Sequence, residues 1–249
     1  MKLSIQTYTV QDYIEKDLWG TLKRLSDLGL HYVEIGGTFG LPAEELKAGL
    51  DNLGLGVSGM HTWLGNLENE FDKVVADNRT LGNKYIVLAS VDRALHSQGW
   101  ATVAKRVEPF GAKLRDLGFV LAYHNHNFEF ALENGKPGLD VLYESADPAL
   151  LKAQIDAYWV LYGGSDPAAY IRKLKGRVPL VHLKDGKKGG EHPHFLEVGQ
   201  GDVNWDDVLA ACKECDVDFG AIEQDSSDRD SMESARMSVE FLRARGITE

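Results

Sequence analysis

The alternation of apolar and amphipathic segments along these 249 residues predicts a (β/α)8 barrel. Three observations carry that reading. Strand-like and helix-like segments alternate eight times, and repeated βα units build a parallel sheet. Several helices run into the next strand through a glycine stop, as in LSDLGLHYVEI, LDNLGLGVSGM and LRDLGFVLAYH; a C-terminal glycine closes the last helical turn compactly. No Pro/Ser-rich linker or change of composition divides the chain, so residues 1–249 read as one domain. An open doubly wound sheet is the alternative, but no GxGxxG follows the first strand.

The elements follow in order. LSIQTYT reads as strand one, and DLWGTLKRLSDLGL as an amphipathic helix ending at Gly29. YVEIGG is strand two. PAEELKAGLDNLG is the next helix, with Pro42 at its start and Gly54 as its stop. GVSGMHT is strand three, followed by a helix over residues 66–81. YIVLAS is strand four, and WATVAKRVEPFGAKLRDLG a long helix with a kink expected at Pro109. FVLAYHNH is strand five, LKAQIDAYW six, VPLVHLKD seven and FGAIEQD eight. GLDVLYESA, DPAAYIRKL, NWDDVLAACKEC and RDSMESARMSVEFLRARG supply the remaining helices. EFALENGKPG reads as a small hairpin turning at Asn134–Gly135, either covering the mouth of a site or serving a homo-oligomer contact.

Composition narrows the partners. A net charge of −11 repels nucleic acid and anionic membrane, so neither is expected. No apolar run approaches the about 20 residues of a membrane span. The N-terminal MKLSIQTYTV enters a strand pattern without a signal core, and a cytoplasmic location is expected. Cys212 and Cys215 have redox or half-zinc spacing, but no second pair exists and both lie on a helical stretch. They read as reduced thiols.

In such a barrel the active site lies at the C-terminal ends of the strands. The polar residues at those ends are Gln6 and Tyr8, Glu34, His61, Ser90, then His124, His126 and Glu129. Asp156 with Tyr158 and Trp159, His182 with Lys184 and Asp185, and Glu223 with Gln224 and Asp225 complete the ring. Singly, each has an ordinary structural explanation. Together they put a charge or an imidazole into apolar strands such as AQIDAYW, PLVHLKD and GAIEQD. Burying one unpaired charge costs several kcal/mol. A divalent cation is the simplest compensation, because it turns carboxylate repulsion into ligation. Carboxylates with one imidazole suit Mn²⁺ foremost, then Mg²⁺ or Co²⁺, with Zn²⁺ also admitted.

The stretches YVEIGG, YHNHNFEF, QIDAYWV, RVPLVHLKDG, VGQGDVNW and AIEQD, in this order, resemble the sugar phosphate isomerase/epimerase group of the xylose isomerase-like TIM barrels. That group also holds ketose 3-epimerases and inosose isomerases and dehydratases. The resemblance implies a metal site with one ligand from each of strands five to eight: Glu129, Asp156, His182 and Glu223. Strand five is the open position, since its body carries His124, and His124 or His126 is the alternative ligand. The endonuclease IV branch would need more histidines and a DNA-binding surface, against which the charge of −11 argues.

The activity this implies is isomerisation or epimerisation of a small keto-sugar or related polyol through an enediolate. Glu129 and Glu223 are the expected acid and base. Glu34, His61, His124, His126 and Lys184 would face substrate, with Trp63 and Trp159 as apolar walls. Lys184, Lys187 and Lys188 could hold a phosphate, or form an ordinary solvated turn. A dehydratase or lyase acting on a keto-inositol or 3-keto-glycoside is the nearest enzymatic alternative. A barrel that binds carbohydrate without turnover is the alternative from another class.

Overall fold

A computed structural model describes residues 1–247. Eight parallel strands, β1 (Lys2–Gln6), β2 (Tyr32–Ile35), β3 (Gly56–Thr62), β4 (Tyr85–Leu88), β5 (Val120–His124), β6 (Lys152–Asp156), β7 (Leu180–Leu183) and β8 (Phe219–Ile222), form a closed barrel. Each pairs with its sequence neighbours, and β8 closes onto β1. The principal helices between them are α1 (Leu18–Asp27), α2 (Ala43–Asn52), α3 (Phe71–Leu81), α4 (Trp100–Asp116), α5 (Gly138–Ser145), α6 (Pro167–Lys173) and α7 (Trp205–Glu214), and α8 (Ser231–Arg243) follows β8. The predicted barrel is therefore the fold. The repeated glycine stops behave as read: Gly29, Gly54 and Gly118 have φ of 79°, 68° and 88°, the left-handed region a side chain disfavours.

The departures from the sequence reading are local. Strand one stops at Gln6, whose side-chain oxygen accepts from the Tyr8 amide and starts a 3-10 turn over Thr7–Val10. Strand six stops at Asp156, whose carboxylate accepts from the Trp159 amide at 2.9 Å. That cap opens a short helix, Ala157–Tyr162, so Tyr158 and Trp159 ride on a helix above the barrel. The helix expected over 66–81 is two, Leu64–Asn69 and α3, broken at Glu70. Pro109 lies within the unbroken 17-residue α4. The hairpin forms as expected, with Asn134 at φ 52° and Gly135 at φ 85° between Leu132–Glu133 and Lys136–Pro137. A second ribbon, Asp185–Lys187 with His194–Leu196, was not legible in KDGKKGGEHPHF.

Apolar side chains of strands and helices pack into one large buried cluster. Arg177 is a polar tie within it, donating to the carbonyls of Tyr143, Ala146 and Leu151 at 2.5–2.9 Å and closing the end of α5. Cys212 and Cys215 are free and buried. Among the described residues no helix is long and apolar enough to cross a membrane.

Candidate metal centre and its mouth

Register places the polar residues side by side. Asp156 on β6 pairs with His182 on β7, and His182 with Ala221, two residues before Glu223. Gln6 on β1 pairs with Glu34 on β2. A bulge at Val33/Glu34 shifts the β2–β3 register. Across from Glu34 stands Gly59, where a Cβ would come within 2.9 Å of the Glu34 carboxylate. Glycine there leaves the carboxylate its room inside the barrel.

Four buried residues converge: His124, Asp156, His182 and Glu223, with one ligand atom from each lying within 4.8 Å of the others. His182 is at their centre. Its Nδ1 is 2.8 Å from Glu223 Oε2 and 3.9 Å from Asp156 Oδ2, and its Nε2 is 2.5 Å from Glu34 Oε1. Burial lowers its pKa, but Glu223 and Glu34 outweigh burial and raise it to about 10. Glu34 also accepts from Gln6 Nε2 at 2.9 Å and Gln154 Nε2 at 2.6 Å, and lies 2.9 Å from His61 Nε2. Burial would raise its pKa, yet His182 and His61 hold it well below the usual carboxylate range. All four of these partners are protein groups, His182 and His61 among them.

Lys184 is fully buried. Its ammonium pairs with Glu223 at 2.7 Å, Asp225 at 2.9 Å and Asp156 at 3.0 Å. Burial opposes its charge, but these carboxylates raise its pKa well above normal. Asp156 is pushed up to about 6 by burial, against Lys184 and His182. Glu34, Asp156, Glu223 and Asp225 thus face two cations, Lys184 and the His182 imidazolium, a formal excess of two negative charges in a buried cluster.

The residues fit a divalent ion. The excess negative charge, two with His182 protonated and three with it neutral, favours one. His124 Nδ1 is buried without a hydrogen-bond partner, and Asp156 Oδ2 has an ion pair with Lys184 but no hydrogen bond. Burial and the neighbouring imidazoles keep His124 well below its ordinary pKa, hence neutral as a ligand must be. Glu34 on His182 Nε2 is the carboxylate partner that orients a ligating histidine.

Glu129 lies outside this group. It is buried on a 3-10 turn after β5, accepting from Tyr123 Oη at 2.8 Å and the His126 amide at 2.9 Å. Burial pushes its pKa up to about 8 despite those bonds. It fixes the turn that presents His126, whose Nδ1 makes no hydrogen bond and lies 4.0 Å from Glu129 Oε1. Trp159 stands at the mouth with its buried Nε1 unpartnered, its ring centre 5.9 Å from His126 and 5.4 Å from Phe195. Trp63 follows β3 with half its surface exposed (55%). Lys187 is committed to Asp202 and Arg229 to Glu197. Asp185 is a loop anchor, accepting from the amides of Gly199, Gly201 and Val203 and from Trp205 Nε1. Gln154, which sequence reasoning passed over, bridges Glu34 and His61. Its signal was present: it sits two residues before Asp156 and so shares its face of β6.

A closed parallel barrel with polar groups gathered at the C-terminal strand ends defines a class of TIM-barrel proteins. The sequence profile of the xylose isomerase-like TIM barrel family matches residues 22–245, and the chain belongs to that family. An inosose dehydratase of Clostridium perfringens is 25% identical over 130 residues, covering 46% of this chain and 43% of that protein. The chain thus matches less than half of that relative's length. A sugar phosphate isomerase/epimerase from Parabacteroides distasonis superposes with a TM-score of 0.86 at 21% identity, covering 100% of this chain and 95% of that one. The IOLI protein, whose crystal structure holds a zinc atom, gives 0.76 at 14% identity, covering 100% and 98%. At these identities the structural likeness speaks for the fold.

Proposed function

We propose that the protein is a divalent-metal-dependent enzyme that moves a proton beside the carbonyl of a keto-sugar or related polyol, with isomerisation or epimerisation as outcome. The convergence of His124, Asp156, His182 and Glu223, with His124 Nδ1 unpartnered and Asp156 Oδ2 held by its ion pair to Lys184 rather than by a hydrogen bond, carries this reading. These four would hold the ion, with His124 in the strand-five place; Glu129 could join only by releasing Tyr123 and the His126 amide. A divalent ion there supplies Lewis-acid polarisation of a carbonyl. Glu223 is the proton acceptor. Burial would raise its pKa, but Lys184 and His182 keep it ionised. His61, His126, Trp159 Nε1 and the Lys184 ammonium are the groups for substrate oxygens, and Trp63 and Trp159 the apolar walls. The pairing of Lys187 with Asp202 and of Lys184 with Glu223, Asp225 and Asp156 leaves Lys188 as the one lysine of the three without an ion pair among the described residues and so open to a phosphate, which supports an unphosphorylated small-molecule substrate.

Dehydration of a keto-polyol is the second reading. It is favoured by the likeness to inosose dehydratase and by Glu129, whose tether leaves Glu223 without a second free carboxylate opposite. The test is NMR of the Mn²⁺-supplied protein with a panel of keto-sugars and keto-inositols in D₂O. Metal-dependent deuterium uptake beside the carbonyl supports proton transfer. Loss of water without exchanged substrate selects the dehydratase. Sugar binding with neither event leaves a carbohydrate-binding barrel, and turnover that survives chelation refutes the metal centre.

A further inference from the structure

We propose that Lys184 is the resident cation of this centre: its ammonium holds Asp156 and Glu223 together in the metal-free protein and withdraws toward Asp225 when a divalent ion binds. The lysine then sets how tightly the centre takes metal. This rests on the metal reading above, and the experiment separates the two.

Three observations carry it. First, the ammonium sits on ligand atoms. It pairs with Asp156 Oδ2 and Glu223 Oε2, and Glu223 Oε2 is also the atom 2.8 Å from His182 Nδ1. An ammonium and a divalent ion sharing these oxygens would face each other at contact distance, where like charges repel strongly in a buried site. Secondly, an exit exists. Asp225, whose side chain is 28% exposed, already lies 2.9 Å from the same ammonium on the outer side of the cluster. The flexible four-carbon stem allows the shift. Thirdly, two rings stand beside the ammonium, with Trp159 and Phe195 centred 5.3 and 5.8 Å from the nitrogen. A cation is attracted to such faces, so the displaced ammonium stays close to the mouth. It would then be directed at a sugar oxygen.

The test is calorimetric titration of chelator-treated protein with Mn²⁺, for wild type, Lys184→Met, Asp225→Asn and the double variant, with thermal unfolding to establish that each is folded. Lys184→Met removes the competitor and should bind Mn²⁺ at least about tenfold tighter. Asp225→Asn removes the refuge and should bind more weakly. In the Lys184→Met background the Asp225→Asn effect should shrink, because the group that needed the refuge is gone. A lysine that only supports the fold would not give opposite signs. Lys184→Gln replaces the methionine variant if that one does not fold. If wild type binds Mn²⁺ but the lysine variant binds equally or more weakly, or the two substitutions are additive, the resident-cation proposal is overturned while the metal centre stands. If wild type takes up no Mn²⁺, both fall.

Discussion

Replacing Glu34 by glutamine tests the site at its hinge. The carboxylate has contacts with Gln6, Gln154, His61 and His182, and the last, at 2.5 Å, is a buried ion pair. Glutamine keeps the shape but loses the charge, and its NH₂ group must face a donor from Gln6 or Gln154. Removing one member of a buried pair costs about 3–5 kcal/mol, because the other charge stays buried. His182 keeps Glu223, so we expect about 3 kcal/mol, at the low end of that range. The pH dependence has a definite sign. Glu34 is held below its ordinary 4.5, so its contribution is present above 4.5 and is lost as pH falls through the depressed folded value. His182 is raised from 6.5 to about 10, so its contribution is full below 6.5 and is lost as pH rises through about 10. The advantage of wild type over Glu34→Gln should therefore be greatest between 4.5 and 6.5 and shrink on either side. Urea unfolding across pH measures it. The orienting role of Glu34 predicts, in addition, a Mn²⁺ affinity about 10–100-fold lower. A variant within about 0.5 kcal/mol of wild type, the range of an ordinary surface change, and with unaltered Mn²⁺ affinity refutes this account of the hinge.

Other consequences are simpler to test. His124→Ala should lower Mn²⁺ affinity in calorimetry by about 100-fold, whereas Glu129→Gln should leave it within about threefold; the reverse order would make Glu129 the strand-five ligand. Because His182 is raised to about 10 and a ligating imidazole must be neutral, metal uptake near pH 8 should release about one proton per ion. Titration in buffers of different ionisation enthalpy reads this number, and a value near zero excludes His182 Nδ1 as a ligand. Arg177→Met should cost about 2–4 kcal/mol in urea unfolding, since three buried carbonyls lose a charged donor. Its Mn²⁺ affinity should stay at the wild-type value.

The barrel was legible because its signals are local and repeated. A glycine after each of several helices and an apolar run after each glycine leave few ways to arrange eight units. The misread boundaries share one cause. At Gln6 and Asp156 a side chain at the strand end accepts from an amide two or three residues on and turns the backbone out of the sheet. Propensity favours continuing the strand, with TYT after Gln6 and AYW after Asp156. The cap decides otherwise, and from sequence these residues look like site residues alone. Asp156 is both: Oδ1 caps the helix while Oδ2 turns to the centre.

The same double use explains why YHNHNFEF resisted assignment. A strand reading puts His124 and His126 on one face, but β5 ends at His124 and the chain then turns. His124 stays in the barrel with its Nδ1 unpartnered, while His126 moves to the mouth. Glu129, the stretch's carboxylate, folds back to Tyr123 and the His126 amide. Both of its oxygens already have a donor, Tyr123 Oη on Oε1 and the His126 amide on Oε2. Sequence spacing could nominate a carboxylate for strand five, but not report that a tyrosine six residues earlier had already taken it. With His124 in the strand-five place, as proposed, the ligand set would be two carboxylates and two imidazoles in place of three and one. That shift, and not the number of ligands, is what should move the metal preference away from Mg²⁺.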